Sequence, residues 1–372
     1  MENCDCLVLG LGAMGSATLY HLARQGHDAV GIDQFEPGHV WGSSHGHSRA
    51  FRVFYRDPLY TELAQAALPH WQELQATSRI PLIHLCGFLA FATPDNRMME
   101  DHLTAIRQSE APFELLTPAE VTSRFPALQI PARSRVCFTP QAGFLDADRC
   151  VATHLAEARR LGASIHGQVT VEHIELGRGH TIVRTSAGDF RANRLVMTAG
   201  PWTRQCLPEL TLPLTVTRQQ KFYFQPSSPG ALEPTSLPVY ADYDTRYYGF
   251  PLHGPGVKVA DDTRGAETDP DRIDRRIDHQ EGERLGNWLA SLLPQRTFKL
   301  LSGSTCMYTE TPDQDFLIGR HPRQPGIIVG AGFSGHGFKF STLIGLMLAQ
   351  LATIGSTPYP VQRFQLDRFS RP

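Results

Sequence analysis

The sequence predicts an α/β protein, α+β overall, built as two domains. Three observations carry this: a glycine fingerprint after the first strand, a second glycine-rich turn before the last apolar helix, and a strand-rich segment between them. Strand-turn-helix architecture at both ends of the chain implies that one domain is assembled from separated segments. At 372 residues the chain also exceeds the ~250–300 residues at which a single core usually stops growing.

In chain order, Cys4 to Leu9 reads as a buried strand. Gly10-Leu11-Gly12-Ala13-Met14-Gly15 turns into a helix that runs to Gln25 and stops at Gly26, and the strand Ala29 to Ile32 ends at Asp33. This is the opening of a right-handed βαβ unit. Phe35 to Asp57, rich in Gly, Ser, His and Arg, reads as a ligand-facing loop with a turn of helix. Pro58 to Thr77 has helical spacing, with Pro69 expected to kink or divide it. Cys86 to Ala92 is a predicted strand, and Thr117-Pro118-Ala119-Glu120 combines a capping box with proline at the first helical position.

A helix is expected from Asp148 to Arg160. Strands are expected over Gln168 to Glu175, Thr181 to Ser186 and Arg194 to Thr198, then over Val216 to Phe224 and Arg246 to Val259. The helix Gln280 to Leu293 follows, and the turn Gly330 to Gly337 leads into an apolar helix from Lys339 to about Leu351. The expected domains are a Rossmann-like one from 1–85, 145–214 and 300–372, and a sheet-rich one from 86–144 and 215–299.

Composition narrows the function. With 41% apolar and 19% charged residues and a net charge of -2, no long-range field would draw nucleic acid or an anionic membrane, so small molecules are the expected partners. The longest apolar runs fall short of the ~18 residues of a membrane span, and Glu2 and Asp5 replace a basic leader, so a cytoplasmic location is expected. Seven cysteines without CxxC spacing indicate neither a disulfide framework nor a zinc site.

Gly10-x-Gly12-x-x-Gly15 permits a tight turn, a close approach of pyrophosphate to backbone and close helix packing, while Asp33 stands where a carboxylate meets ribose hydroxyls. This pattern indicates a dinucleotide without separating FAD from NAD. His45 and His47 lack a third ligand nearby, so no metal site is expected. Arg49 and Arg52, about one helical turn apart, would present two cations to a carboxylate or a flavin edge. Alternation puts Lys258 on the strand face opposite Val257 and Val259, as either a solvated or a functional lysine. Cys306 alone reads as a buried thiol, and Lys339 as a cation that opposes the dipole of the helix it begins.

Together, the fingerprint, Gly42-Ser43-Ser44-His45-Gly46 leading to Arg49 and Arg52, Tyr247-Tyr248-Gly249-Phe250-Pro251, Cys306-Met307-Tyr308-Thr309, Pro312-Asp313-x-Asp315-Phe316 and Gly332 to Lys339 resemble the monomeric sarcosine oxidase and N-methyltryptophan oxidase family, which includes pipecolate oxidase. The resemblance covers essentially the whole chain. It implies FAD held by Gly10, Gly12, Ala13, Met14, Gly15, Asp33, Ser43, Arg49, Val171, Met307, Gly335, His336, Gly337 and Lys339, with Cys306 as a thioether link to the flavin 8α carbon. It further implies a substrate carboxylate clamped by Arg52 and Lys339, oxygen activation by Lys258, and His45, Arg49, Tyr248 and Tyr308 around the active site.

The implied reaction oxidises a secondary amino acid, N-methyl or cyclic, to an imine with hydrogen peroxide as coproduct, in a monomeric enzyme. A dehydrogenase of the same fold with another acceptor and a non-catalytic FAD-binding subunit are the alternatives. Two departures stand out: His47-Ser48 replaces the common Asp-Thr, and Asp262 replaces a histidine of the substrate cavity. We expect Asp262 to face the substrate and to favour one with an extra cationic or hydrogen-bond-donating group.

Overall fold

The computed structural model describes residues 1–177 and 179–369. Among them, two eight-stranded sheets and one three-stranded sheet form the framework. The first sheet centres on Glu2–Leu9, which pairs in parallel with Ala29–Ile32 on one side and Gly188–Met197 on the other. Gln324–Ala331 joins Gly188–Met197 in parallel. Burial on both faces explains the unbroken apolar run of the first strand: Cys6 and Val8 enter one core, Leu7 and Leu9 another.

Helices Ala13–Arg24, Ala147–Arg160 and Ser341–Thr353 pack together on this sheet. The crossing of the first and last is close because Gly345 meets Ala17, where an added Cβ would lie 2.6 Å from backbone. Glycine is needed at Gly10 for two reasons. Its φ is +88°, and a Cβ there would lie 2.6 Å from the Thr198 carbonyl oxygen.

The second sheet runs in the order Phe298–Glu310, Thr215–Pro226, Gly256–Asp261, Tyr247–His253, Val239–Asp242, Phe88–Ala92, Arg135–Thr139, Glu114–Leu116. The strand Phe298–Glu310, most of which falls in the expected 300–372 segment, thus pairs with Thr215–Pro226 and joins the two halves of the molecule. Register assigns the faces. Phe222 lies opposite Val259 and Tyr223 opposite Lys258, so Phe222, Phe224, Val257 and Val259 share an apolar core with Leu285 and Leu289 of the covering helix His279–Leu292. The other face carries Lys221, Tyr223, Lys258, Cys306 and Tyr308.

Several elements differ from expectation. Pro58–Ser78 is one helix with Pro69 inside it; its buried Ala64, Ala67, Trp71 and Leu74, and the bond from Trp71 Nε1 to the Lys339 carbonyl at 2.8 Å, outweigh the one lost backbone bond. Arg49–Phe51 is a strand paired with Gly143–Leu145, not a helical turn. The expected strand over Arg246 to Val259 is the hairpin Tyr247–His253 and Gly256–Asp261, turned at Gly254 with φ +64°. Lys339 occupies a 3-10 turn, Phe338–Phe340, ahead of the last helix. Among the described residues no helix is long and apolar enough to cross a membrane.

Candidate active site

A cleft of about 580 Å³ runs between the first sheet and the polar face of the second. Its lining includes Gly10, Gly12, Ala13, Met14, Asp33, Ser43, His45, Arg49, Val171, Met307, Tyr308, Gly335 and Gly337, so most residues expected at a cofactor converge there. Gly15 sits beneath the lining, where a Cβ would collide with the Gly10 carbonyl oxygen.

Where the glycine turn lines the cleft, Asp33 closes it. Its carboxylate accepts from Leu11 N at 2.7 Å and Phe35 N at 2.9 Å. Ser44 Oγ accepts from Ala13 N at 2.9 Å, which satisfies a helix-end amide that lacks an intrahelical partner. The sequence reading omitted Ser44, although its place beside Ser43 in a Gly-Ser-Ser loop fits a cap.

Arg49 lines the cleft; Lys221 and Lys258 interact with it, and Arg52 and Lys339 form a second basic pair, five cations in all. Arg49 donates to the carbonyls of Ser43, His45 and Ser48. Lys258 Nζ donates to the Ser48 carbonyl at 2.7 Å and lies 4.3 Å from the Phe250 ring centre. Lys221, which the sequence reading missed, donates to the His45 carbonyl at 3.0 Å. Arg52 donates to the Phe54 carbonyl and stacks 4.0 Å over Tyr55, and Lys339 donates to the His336 carbonyl at 2.7 Å with its Nζ 5.6 Å from the same Tyr55 ring. Among the described residues, none of the five forms an ion pair with a carboxylate; their partners are backbone carbonyls and rings.

Burial shapes the protonation of this cluster. Desolvation, then Arg49 and Lys221, hold Lys258 well below the ordinary lysine value. Desolvation, then Arg52, does the same to Lys339. Lys221 is lowered to about 8 by burial and then by Arg49. His45 is pushed down to about 2 by burial, then by Lys221 and Arg49, and is therefore neutral. Burial, followed by Lys339, takes His336 to about 3. Of these shifted groups His45 lines the cleft, and such clustering makes the region a candidate functional site.

Tyr248 and Tyr308 have raised values, by burial first, and Tyr248 meets Phe250 edge-on. Gly335, at φ +75°, leaves room for the Tyr308 ring, which a Cβ would approach to 2.4 Å. Cys306 is buried two residues from Tyr308 on the same strand face. Arg49 and Arg52 part company: the strand directs Arg49 to the His45 loop, while Arg52, beyond its end, reaches Tyr55. Asp262 lies outside the cleft's lining, its carboxylate half-exposed and paired with Arg246 at 3.2 Å, yet it still bears electrostatically on Arg52 and Lys339.

The site has donors and shape for a flavin dinucleotide. Ser43 Oγ and His45 Nε2, on two residues that line the cleft, are buried without a hydrogen-bond partner among the described residues. No group of three or more potential metal ligands occurs among the described residues.

Comparison with known proteins agrees with this geometry. The family model described as "FAD dependent oxidoreductase" matches residues 5–351. A "Monomeric sarcosine oxidase" of Streptomyces avermitilis is 35% identical over 376 residues, covering 98% of both chains. An "N-methyl-L-tryptophan oxidase" of Yersinia pseudotuberculosis is 29% identical, with 98% of this chain and 99% of the other covered. The solved structure of NikD, described as an unusual amino acid oxidase essential for nikkomycin biosynthesis, superposes with a TM-score of 0.86 at 25% identity, covering 98% of each chain.

Proposed function

The chain belongs to the family of FAD-dependent oxidoreductases, and from that premise we propose that it oxidises the C–N bond of a secondary amino acid, N-methyl or cyclic, with molecular oxygen as acceptor. One observation carries the reading: Lys339, which is buried, and Arg52, which is partly buried, approach the same Tyr55 ring, and neither forms an ion pair with a carboxylate among the described residues. Two desolvated cations without an anion are costly unless an anion arrives with the ligand. An amino-acid carboxylate supplies it, and two-point capture fixes the amine beside the cofactor.

When bound, FAD accepts the two electrons and the hydrogen taken from the amine carbon. The chain's residues prepare for this. Gly10, Gly12 and Asp33, which line the cleft, would hold the dinucleotide, Cys306 would hold the flavin as a thioether, and the backbone at Gly335 and Gly337 would face charge that accumulates on reduction. Lys258, protonated, would stabilise the negative charge that oxygen takes on when it accepts an electron. Tyr55, Tyr248 and Tyr308 exclude water around the substrate. The imine leaves to hydrolyse in solvent, and oxygen departs as hydrogen peroxide. The proposal is of a monomeric, cytoplasmic oxidase.

The decisive measurement is peroxide production by the isolated chain with a panel of N-methyl and cyclic amino acids. Turnover of at least one with stoichiometric peroxide is expected. Substrate-dependent flavin reduction without peroxide would make it a dehydrogenase, and no reduction by any amino acid would make it a binding subunit.

A further inference from the structure

We propose that Lys221 is the positioning residue that makes Cys306 competent to capture the flavin, its buried ammonium serving as counter-ion to the cysteine thiolate. The proposal rests on the reading of Cys306 as the covalent ligand.

Register places the two together. Gln219 pairs with Cys306 and Lys221 with Ser304. Because side chains alternate with period two, Lys221 and Cys306 are diagonal neighbours on one sheet face, within reach of a long side chain. Lys221 is only 4% exposed. Its Nζ is fixed between the His45 carbonyl at 3.0 Å and His45 Nδ1 at 3.5 Å, and a Cβ on Gly46 would lie 2.7 Å from it. A lysine held this deep without a carboxylate asks for a partner that becomes anionic.

The other groups facing the thiol are worse placed. Lys258 stands one strand further away and is bonded to Ser48. Arg49 is occupied by three carbonyls. Arg275 arrives from the segment that crosses the strand ends, with its guanidinium on the Val40 and Trp41 carbonyls. Tyr223, Tyr248 and Tyr308 share the face as neutral phenols, and His45 is neutral. Among acids, Asp148, which accepts from Gly46 N, bears on Lys221, and Asp262 bears on Tyr248 and Tyr308. With burial and Arg49 lowering it to about 8, Lys221 still carries its proton at neutral pH.

The thiolate is the nucleophilic form of cysteine. Attachment exchanges the S–H and one C–H of the flavin 8α methyl for a C–S bond. The two electrons and two protons released leave on molecular oxygen as hydrogen peroxide, the same acceptor the proposed reaction uses.

The test follows flavin that survives denaturation. The full-length chain, produced without riboflavin, is mixed with FAD, and the incorporation rate is read across pH. Lys221→Met is expected to move the profile at least one pH unit upward and slow incorporation about tenfold at neutral pH, whereas Lys221→Arg keeps most of the rate. Iodoacetamide alkylation of Cys306 in the flavin-free chain, mapped by mass spectrometry, should shift alike. If Lys221→Met fails to fold, Lys221→Gln, which keeps a donor to the His45 carbonyl, takes its place. Profiles that superimpose with wild type overturn the proposal, as does an equal shift in Lys258→Met, which would indicate a general field. If alkylation shifts but no flavin survives denaturation of the wild type, the pair stands and the covalent reading falls.

Discussion

Arg52 and Lys339 differ from Lys221 and Lys258 in what holds them. The first two stand on irregular backbone, Arg52 just beyond a three-residue strand and Lys339 in a 3-10 turn, and lean on the Tyr55 ring. The second two stand mid-strand in the second sheet, with their positions fixed by register against Ala260 and Tyr223. Cations on turns can adjust to an anion that comes and goes. Cations on a sheet keep their places, as suits charge that develops on a fixed group. We propose the first pair as a substrate clamp and the second as a positionally fixed field, whose protonated form is favoured by negative charge developing beside it.

The largest effect should come from breaking the clamp. Replacement of Arg52 or Lys339 by Met is expected to cost about 2–5 kcal/mol in kcat/KM for a carboxylate substrate, since the remaining cation is left to face the anion alone. Steady-state kinetics check this. The same loss for an amine lacking a carboxylate would show that these cations do not bind the carboxylate, and the contrast between the two pairs would fail.

Next in size is Lys258→Met. A fixed cation of the field should matter when charge develops on oxygen, so reoxidation is expected to slow by roughly 100-fold, while anaerobic reduction by substrate stays near its original rate. Stopped-flow measurement of the two half-reactions separates them. An equal fall in both would place Lys258 with the clamp.

A third difference is in proton uptake. Lys339 has its value lowered well below that of ordinary lysine, by burial first and then by Arg52. The free clamp therefore loses a proton at a lower pH than a solvated lysine would, and a bound carboxylate restores it. Affinity for an anionic competitor must fall as pH rises through that lowered value, with net proton uptake on binding in that range. Titration calorimetry in two buffers of different ionisation enthalpy reads the uptake, which should vanish in Lys339→Met. Uptake that persists in the variant would assign the proton elsewhere.

The clamp and the field were not equally legible in the sequence. Gly10 to Gly15 and Gly332 to Lys339 are contiguous, and Gly10, Gly332 and Gly335 take positive φ, so these segments could be read directly. Lys258 was placed on the correct face because alternation is a local rule. Lys221 was invisible: between Gln220 and Phe222 it looks like any strand lysine, and its significance arises only when Thr215–Pro226 is laid against Phe298–Glu310. The spacing of Arg49 and Arg52 suggested one helical face, but pairing with Gly143–Leu145 made a strand and sent them to different neighbours. Pro69 misled for the same reason, since tertiary contacts of Trp71 and Leu74 decided what local preference opposed.

The smallest effect, and the one that bears on substrate identity, concerns Asp262. It neither belongs to the field nor closes the clamp: its carboxylate is 48% exposed and shares its charge with Arg246 at 3.2 Å. An exposed pair of this kind is worth only ~0–1 kcal/mol to stability, so Asp262→Ala should fold normally. Yet Asp262 is the acid that bears on both Arg52 and Lys339, and it faces the same tyrosines. Its removal should tighten binding of simple carboxylates slightly, by less than about 1 kcal/mol, because the clamp loses a competing negative charge. Substrates with a second cationic or donor group should lose a comparable amount. The ratio of kcat/KM between two such amino acids, matched in size, measures both changes at once. A ratio unchanged in Asp262→Ala would leave this half-exposed carboxylate as a partner of Arg246 alone, and selectivity would then have to arise from residues nearer Arg52 and Lys339, such as Tyr55.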